Sequence, residues 1–401
     1  MTTPALDVLR ALHAHTAAAG MPPPAALVGD WWDADAVIAP SIRLRPGFAP
    51  PDDPDRFWLG YLGFPVRATE SPLPPAVGGM TDEILVLRGG RWTHQHVDGA
   101  ACASWIANAL DSGPTNADPE NATAAWSARW QPPAREPHLA AIDACLEAIR
   151  AGEVYQACVC THFTGVVTGE PLEFFGDITA ATLPAKAAFL QGTWGTVASF
   201  SPESFLRRTG NLVSSAPIKG TRAASADPSS LADSAKDVAE NVMIVDLVRN
   251  DLGRLARTGS VRVADLLSVV AAPGVWHLVS RVEALVDPGV GNTELLRATF
   301  PPASVTGTPK LRAMELIADW EQQARGVYCG AVGMAGPGHA LDLNVAIRTV
   351  TVTPDGSAAL GVGGGITIDS DPHHEWQECL DKAASIVGEV GGRSGRANSL
   401  R

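Results

Sequence analysis

Apolar residues recur at helical spacing in several segments beyond residue 138. Leu139, Ile142, Leu146 and Ile149 fall three or four residues apart, and Gly152 is expected to end this helix. Three more helices are predicted: 234–252 with Gly253 just after its end, one from Pro309 with Thr308 as N-cap, and one from Pro372 behind Asp371 to about Val387. Four helices are therefore expected in this half of the chain.

Runs of apolar and β-branched residues predict strands between these helices. They fall at 154–163, 195–200, 212–215, 275–286, 327–334, 340–351 and 358–362. Strands and helices follow each other in mixed order, and the strand lengths vary. This order favours α+β layers over a regular doubly wound sheet.

The chain divides by composition into three parts. Residues 1–137 form an N-terminal region rich in Ala, Pro and Trp, and its last residues, 131–137, read as a rigid Pro-rich connector. The stronger patterns fill 138–390. The tail 391–401 is small, polar and basic, and is predicted to be disordered.

Composition excludes some partners. The 401 residues carry a formal net charge of −13, whereas nucleic acids and anionic membranes require a basic face. No basic–apolar leader opens the chain, and no run of about 18 apolar residues could span a membrane. Six cysteines without a CxxC pair indicate reduced thiols; Cys158 and Cys160 are interpreted as packed thiols on one strand. A cytoplasmic protein is expected.

The segment 215–222 carries the strongest chemical signal. Lys219 lies between a Pro–Ile pair and Gly220, so a strand is expected to end there and turn sharply, with the amine pointing into whatever the sheet edge faces. Such a lysine is either a solvated turn residue or a desolvated nucleophile or base.

A carboxylic acid is expected beside that lysine. A hairpin with its turn at 209–211 would bring Glu203 and Lys219 to the same sheet edge, as general acid and nucleophile or as a simple ion pair. His277 alternates with core residues on a predicted strand. It is interpreted as a structural residue or a substrate hydrogen-bonder rather than a metal ligand.

Two helices offer carboxylates for a cation. Glu240 lies on a helix that is apolar nearly all round, so a buried glutamate there needs a partner or a metal. Glu375 and Glu378 are three apart and share one face of the last helix. Oxygen ligands from two helices suit Mg²⁺, although Glu375 and Glu378 could also form a solvated face.

Two backbone sites and an arginine suggest an anionic substrate. A Gly-rich run at 361–365 is expected to follow a strand, and the segment 306–310 opens a helix whose N-terminus attracts anions. Arg348, on a predicted apolar strand, offers a bidentate fork. Together they predict a substrate with more than one carboxylate.

Eight segments in this order resemble the chorismate-utilising enzymes. They are SPESF, PIKGTR, ENVMIVDLVRNDLGR, HLVSRVEA, SVTGTPKLRAMELI, RGVYCGAVG, NVAIRT and GGGITIDSDPHHEWQECLDKA, and they cover roughly 138–390. Residues 1–131 match only loosely. The resemblance implies two packed β-sheets flanked by helices, with the site between them.

Two positions decide the resemblance within the family. Lys219 is similar to the lysine of aminodeoxychorismate synthase component I, where anthranilate synthases usually have alanine. Gln156 stands where isochorismate and salicylate synthases carry a water-activating lysine, and glutamine cannot act as that base. Amination of chorismate to 4-amino-4-deoxychorismate is therefore implied, with hydration disfavoured.

The resemblance also implies a role for each site residue. Lys219 attacks C2 while Glu203 protonates the departing C4 hydroxyl, and ammonia then adds at C4 and expels the lysine. Mg²⁺ held by Glu240 and Glu378, with Glu375 nearby, binds the ring carboxylate. The remaining binding residues seat the two ends of the substrate: Gly220, Thr221 and Thr306 at the ring carboxylate, and His277, Tyr328, Arg348, Gly364 and Gly365 at the enolpyruvyl group.

The ammonia is expected from a separate glutamine amidotransferase subunit, because the chain shows no cysteine beside a glutaminase-like His–Glu pair. Three alternatives stay open. They are anthranilate synthase component I, a non-catalytic chorismate-binding protein and an isochorismate-type isomerase.

Overall fold

The computed structural model describes residues 3–67, 70–111 and 125–388. The predicted tail at 391–401 lies outside this range. Within it the chain forms two large β-sheets packed face to face, with helices on the outside, which confirms the predicted α+β sandwich.

Every strand pairing in the described residues is antiparallel. In chain order the strands are β1 (Ala25–Trp31), β2 (Ala34–Ala39), β3 (Arg45–Pro46), β4 (Phe57–Leu62), β5 (Ala76–Thr81), β6 (Glu83–Arg88), β7 (Arg91–His96), β8 (Trp126–Gln131), β9 (Gln156–Gly169), β10 (Lys186–Gly192), β11 (Gly195–Ser201), β12 (Ser204–Thr209), β13 (Leu212–Ala216), β14 (Ile218–Ala223), β15 (Arg262–Ala272), β16 (Val275–Leu285), β17 (Gly307–Thr308), β18 (Ala331–Gly336), β19 (Ala340–Val345), β20 (Thr349–Val352) and β21 (Ser357–Ile366).

The first sheet runs β17-β9-β21-β20-β11-β10-β1-β2-β6-β7, with β8 also paired to β9. The second runs β14-β16-β13-β12-β19-β18-β4-β5-β3, with β15 also paired to β16. Strands from before and after residue 137 lie in both sheets, so the N-terminal region contributes to the sandwich; a domain boundary at 137 stays a prediction.

Nine helices accompany the sheets within the described residues. They are α1 (Thr3–Ala19), α2 (Ser104–Asp111), α3 (Arg135–Arg150), α4 (Pro171–Thr182), α5 (Ser229–Ala232), α6 (Ala235–Gly253), α7 (Asn292–Thr299), α8 (Lys310–Trp320) and α9 (Pro372–Val387). Among the described helices, none has the length and apolar character that crossing a membrane would require.

Two kinds of core hold the layers together. Apolar residues of α1, α4 and α9 pack on the outer face of the first sheet. Leu27 and Val197 of the first sheet pack with Leu59 and Val332 of the second, which buries the space between the sheets. Burial of this kind is the main favourable contribution to folding.

The helix ends differ from the predictions at two places. Gly253 is the last residue of α6 rather than the residue after it, and Arg254 follows with right-handed dihedral angles. Pro309 is itself the N-cap of α8, so the predicted capping by Thr308 is wrong; Thr308 ends the short strand β17 instead. Asp371 caps α9 as predicted, accepting hydrogen bonds from the backbone N–H groups of His373 and His374.

Three predicted segments are shorter or divided. The connector at 131–137 is reduced to 132–134, because Gln131 ends β8 and α3 begins at Arg135. The strand predicted at 327–334 begins only at Ala331. The strand predicted at 340–351 is two strands, β19 and β20, which belong to different sheets. Periodicity cannot show such a crossing, because both strands are apolar.

Candidate active site

Lys219 lies at a bend in the second sheet. It is the second residue of β14, which follows β13 after Pro217, and the pairing of β14 with β16 shifts register between Ile218 and Thr221. The chain continues as a strand to Ala223, so the predicted strand end at Lys219 is wrong. Gly220 has φ +79°, and a Cβ there would lie 3.1 Å from Asp237. Glycine at 220 is thus required for the bend.

The Lys219 side chain points into the protein. It is 12% exposed, and Nζ lies 3.9 Å from Oε2 of Glu240. A Cβ added at Gly365 would be only 3.0 Å from Nζ. Within the part of the chain that the structure describes, no group accepts a hydrogen bond from this amine. The geometry favours the desolvated nucleophile or base over the solvated turn residue.

Glu203 meets Lys219 across the predicted hairpin. β12 and β13 pair from Thr209 and Leu212 back to Ser204 and Ala216, which brings their far ends together. Oε1 of Glu203 accepts a hydrogen bond from the backbone N–H of Ile218 at 3.4 Å. Burial raises the pKa of Glu203 to about 7, against the opposing effects of Ser304 and Lys219. An acid that keeps its proton near neutrality therefore lies beside the lysine.

Glu240 and Glu375 surround one ammonium group. Nζ of Lys236 lies 3.0 Å from Oε1 of Glu375 and 3.9 Å from Oε1 of Glu240. Ser370 donates a hydrogen bond to Glu375 at 2.7 Å. Burial raises the pKa of Glu240, and the two lysines nearby oppose that shift. Sequence reasoning missed Lys236, although its position four residues before Glu240 was a helical signal.

α6 carries these groups on one face only. Glu240, Ile244 and Val248 are buried, whereas Val242 is 44% exposed, so the prediction of a helix buried nearly all round is wrong. Asp237 lies one turn before Glu240 and beside Gly220, where it pairs with Arg222 at 2.6 Å. This second acidic residue of α6 was also missed.

Glu378 is more exposed than the two buried carboxylates. Its side chain is 53% exposed and is paired with Lys382 at 2.7 Å. No group of three His, Cys, Asp or Glu side chains among the described residues is placed to hold one ion. Even so, Cβ atoms added at Gly364 and Gly365 would reach Glu375 at 2.9 Å and Glu240 at 3.7 Å. Because these two glycines have no side chains, the strand leaves room beside the two carboxylates, whose oxygens suit a hard cation.

Arg348 stands where the chain crosses between the sheets, not on a strand as predicted. It has φ +50° between β19 and β20. Among the described residues, no acceptor lies within hydrogen-bond distance of its guanidinium group. Burial is the main cause that lowers the pKa of the neighbouring His277 to about 4, and the charge of Arg348 lowers it further. Nδ1 of His277 lies 3.0 Å from Oγ1 of Thr221. A half-buried arginine without a partner is suited to an incoming carboxylate.

The glycine run lies within β21, and the prediction that it follows a strand is wrong. Residues 361 to 365 pair with β9. A Cβ at Gly361 would clash with the ring of Tyr328 at 2.2 Å, and one at Gly363 would meet Sγ of Cys160 at 2.5 Å. Gly365 lies beside Lys219. The face of β21 that carries Gly361, Gly363 and Gly365 therefore has no side chains of its own between Tyr328 and the Lys219 amine.

Thr306 is held by its own surroundings. Its hydroxyl donates to the carbonyls of Pro302 and Ala303, and its carbonyl accepts from the N–H of Cys158 at 2.7 Å. Any contact it makes with a ligand would therefore come from its backbone or from a rearranged hydroxyl. Its neighbours Gly307 and Thr308 pair with β9 rather than forming a free helix N-terminus.

A buried ion pair holds the segment around Thr306 against β9. Arg325 binds both carboxylate oxygens of Glu321, at 2.6 and 2.8 Å, and donates to the carbonyls of Val305 and Cys158. The thiols of Cys158 and Cys160 are buried 3.7 Å apart. They are packed thiols, as predicted.

The fold thus brings together most of the predicted residues. Lys219, Glu203, Glu240, Glu375 and Gly365 converge, with Arg348, His277 and Tyr328 around them. A lysine amine could attack carbon here while the nearby acid protonates a leaving oxygen. The arginine and the glycines of β21 could receive carboxylates.

Comparison with known sequences identifies the group of proteins that shares these features. The sequence profile of the family described as chorismate binding enzyme matches residues 43–388. Aminodeoxychorismate synthase component 1 of Klebsiella aerogenes is 40% identical over 249 residues, 60% of this chain and 55% of that protein. Aminodeoxychorismate synthase of Streptomyces pristinaespiralis is 34% identical over 381 residues, 86% of this chain and 52% of that protein.

A differently named relative is almost as similar. Anthranilate synthase component 1 of Neisseria gonorrhoeae is 37% identical over 260 residues, 63% of this chain and 52% of that protein. The chain spans about half the length of these curated relatives.

Solved structures share the architecture. Anthranilate synthase component I of Streptococcus pneumoniae TIGR4 superimposes with a TM-score of 0.70 at 25% identity, covering 86% of this chain and 83% of that chain. The menaquinone-specific isochorismate synthase MenF of Escherichia coli gives a TM-score of 0.68 at 17% identity, covering 92% and 89%, which shows the fold alone.

Proposed function

Because the chain belongs to the chorismate binding enzyme family, we propose that it aminates chorismate with ammonia to give 4-amino-4-deoxychorismate. The observation that carries the proposal is that the buried Glu203 accepts a hydrogen bond from Ile218, next to the inward-pointing Lys219. A lysine at this position resembles the aminodeoxychorismate synthases rather than the anthranilate synthases.

Lys219 and Glu203 divide the chemistry between them. The Lys219 amine attacks C2 of the ring, and Glu203 gives its proton to the departing C4 hydroxyl, which leaves as water. Ammonia then bonds to C4 and the lysine leaves C2. The pKa of about 7 keeps a substantial fraction of Glu203 protonated at neutral pH.

The substrate's two carboxylates need separate receptors. Arg348 has no acceptor of its own among the described residues, and its charge acts on the neighbouring His277. We assign Arg348 and Tyr328 to the enolpyruvyl carboxylate, with His277 beside it; Gly364 and Gly365, which lie beside Glu375 and Glu240, would instead face the ring carboxylate. The ring carboxylate would lie toward Glu240, near Gly220, Thr221 and Thr306.

Mg²⁺ is proposed as the cofactor. Glu240 and Glu375 would hold it, with Glu378 within one turn, and the ion would bind the ring carboxylate and offset the charge of the acidic side chains. Lys236 would then have to move from its present contact with Glu375. The lysine is long and 44% exposed, so it can turn outward.

Ammonia is proposed to come from a separate glutamine amidotransferase subunit. The relatives' designation as component 1 implies a partner component. The product keeps its enolpyruvyl group, so a separate lyase would complete para-aminobenzoate for folate formation in the cytoplasm.

The test is product identification. Protein, chorismate, MgCl₂ and ammonium chloride are incubated with and without an added aminodeoxychorismate lyase. We expect 4-amino-4-deoxychorismate by mass spectrometry, and para-aminobenzoate only when the lyase is present. Fluorescent anthranilate without the lyase would instead establish anthranilate synthase, the alternative that the Neisseria relative favours.

A further inference from the structure

A cleft of about 650 Å³ lies behind Tyr328. On β21 its lining runs from Ser357 to Gly361, and Gly365, which lies beside Lys219, comes four residues later. Four residues of strand span about 13 Å. The outer wall includes Val166, which is 42% exposed, so the cleft opens to solvent. The Tyr328 ring, packed on Gly361, and the Cys160 thiol, packed on Gly363, lie between this cleft and the amine.

His162 and Tyr328 both line this cleft. Their rings meet edge to face, with centroids 5.8 Å apart. The His162 ring is hydrogen-bonded to the backbone of Arg325, and its Nε2 is buried without a partner among the described residues. The bond to a carbonyl requires a proton on Nδ1, so in the neutral ring Nε2 carries the free lone pair. Burial lowers the pKa of His162 to about 4, which keeps the ring neutral.

The exposed lining is mostly apolar, and its two charged residues, Glu70 and Arg325, are each paired with a neighbouring side chain, Glu70 with Arg67 and Arg325 with Glu321. Thr349, Thr351 and Gln131 line the cleft, and the buried Arg325 is fully engaged with Glu321. A dicarboxylate would find no free cation here. An ammonium ion would find no free carboxylate at the inner end. A small neutral molecule that donates hydrogen bonds fits the lining better than either ion does.

We propose that this cleft is the access route for ammonia, with Nε2 of His162 accepting an N–H bond from ammonia at its inner end. The inference rests on the proposed amination and gives the second substrate its own path. The ammonium ion leaves its extra proton in solvent, and the ammonia binds at His162. It passes along the glycine face of β21 when the Tyr328 ring and the Cys160 thiol move away from Gly361 and Gly363. Chorismate approaches from the side of the carboxylates and lysines.

The test measures the KM for ammonia separately from the KM for chorismate, with ammonium chloride as the nitrogen source at fixed pH. His162→Phe keeps a ring against Tyr328 but removes the acceptor, and we expect the KM for ammonia to rise about tenfold, the effect of one lost hydrogen bond. His162→Gln, which retains an acceptor, should recover part of this loss. The KM for chorismate should stay within twofold.

A cavity-filling variant tests the route itself. Ala359 lines the cleft next to Gly361, so Ala359→Phe should raise the KM for ammonia at least as much as His162→Phe does. Thr168→Phe, on the exposed end of β9 outside the cleft, is the matched control and should behave as the wild type.

The inference is overturned if both cleft variants keep the wild-type KM for ammonia. It is also overturned if the KM for chorismate rises in step, since that indicates a structural role. These results differ from a failure of the proposed function, in which the wild-type protein itself makes no aminated product from ammonium chloride.

Discussion

Two of the buried lysines in the described part of the chain are held in opposite ways. Lys186, on β10, is 5% exposed, and its ammonium donates to Asp342 at 2.7 Å and to the carbonyl of Asp30 at 2.6 Å, above the ring of Trp31. Lys219 is 12% exposed, yet its nearest carboxylate oxygen is 3.9 Å away. One amine has its partners built in and the other does not.

The difference separates a structural charge from a reactive one. A buried ammonium with two close acceptors is stabilised as a cation and cannot act as a nucleophile. An amine without close acceptors keeps its lone pair available once it is uncharged. Burial alone therefore does not single out a lysine as a candidate nucleophile; the absence of close acceptors among the described residues does. Two substitutions test this contrast directly, and two more test the carboxylates near Lys219.

Lys219→Ala should have the largest effect on activity. Loss of the group that bonds to the substrate should lower ammonia-dependent turnover on the order of 10³-fold or more. Chorismate binding, measured by calorimetry with MgCl₂, should persist, and the protein should remain folded. Unchanged turnover would eliminate the covalent step.

Lys186→Met should have the opposite effects: it should lower stability and leave turnover nearly unchanged. Asp342 would be left buried without its partner, so the free energy of unfolding should fall by about 3–5 kcal/mol, while turnover per folded molecule stays within about twofold. The double variant Lys186→Met/Asp342→Leu should recover most of the stability in urea denaturation. A large loss of turnover with unchanged stability would contradict the assignment of Lys186 as structural.

Glu203→Gln should lower kcat by about 10²-fold or more, because the proton donor is lost. In the wild type the acid form is present below the pKa of about 7 and is lost as pH rises through it. At saturating ammonia, kcat should therefore fall from neutral to alkaline pH. The variant should lack this descending limb, and an unaltered pH profile would exclude Glu203 as the acid.

Glu378→Gln should have the smallest effect of the four. The MgCl₂ concentration for half-maximal turnover should rise about tenfold, as for loss of a supporting carboxylate. Because its pair with Lys382 is exposed, stability should change by no more than about 1 kcal/mol in thermal unfolding. Glu375→Gln, which removes a buried carboxylate, should raise the MgCl₂ requirement further; the reverse order would place Glu378 closer to the ion.

Local patterns predicted a good part of this arrangement. The hairpin turn at 209–211 was enough to expect Glu203 near Lys219, because a tight antiparallel turn brings the far ends of its strands together. The capping of α9 by Asp371 depends on neighbouring residues only. The sandwich itself followed from the family resemblance.

What the sequence could not provide depends on distant contacts. The crossing at Arg348 between two sheets, the contact of Lys236 with Glu375, and the exposure of Glu378 are set by how α6 and α9 pack against the strands. His162 had no sequence signal, because its unpartnered nitrogen results from burial between a tyrosine and the loop at Arg325.

The position of Lys236 has a consequence for assembly of the site. A tethered ammonium serves as an internal counter-ion, so the acidic pocket can form during folding before any divalent ion arrives. If the proposed Mg²⁺ displaces it, the long side chain would regain its rotational freedom in water, and that gain in entropy would offset part of the cost of replacing it.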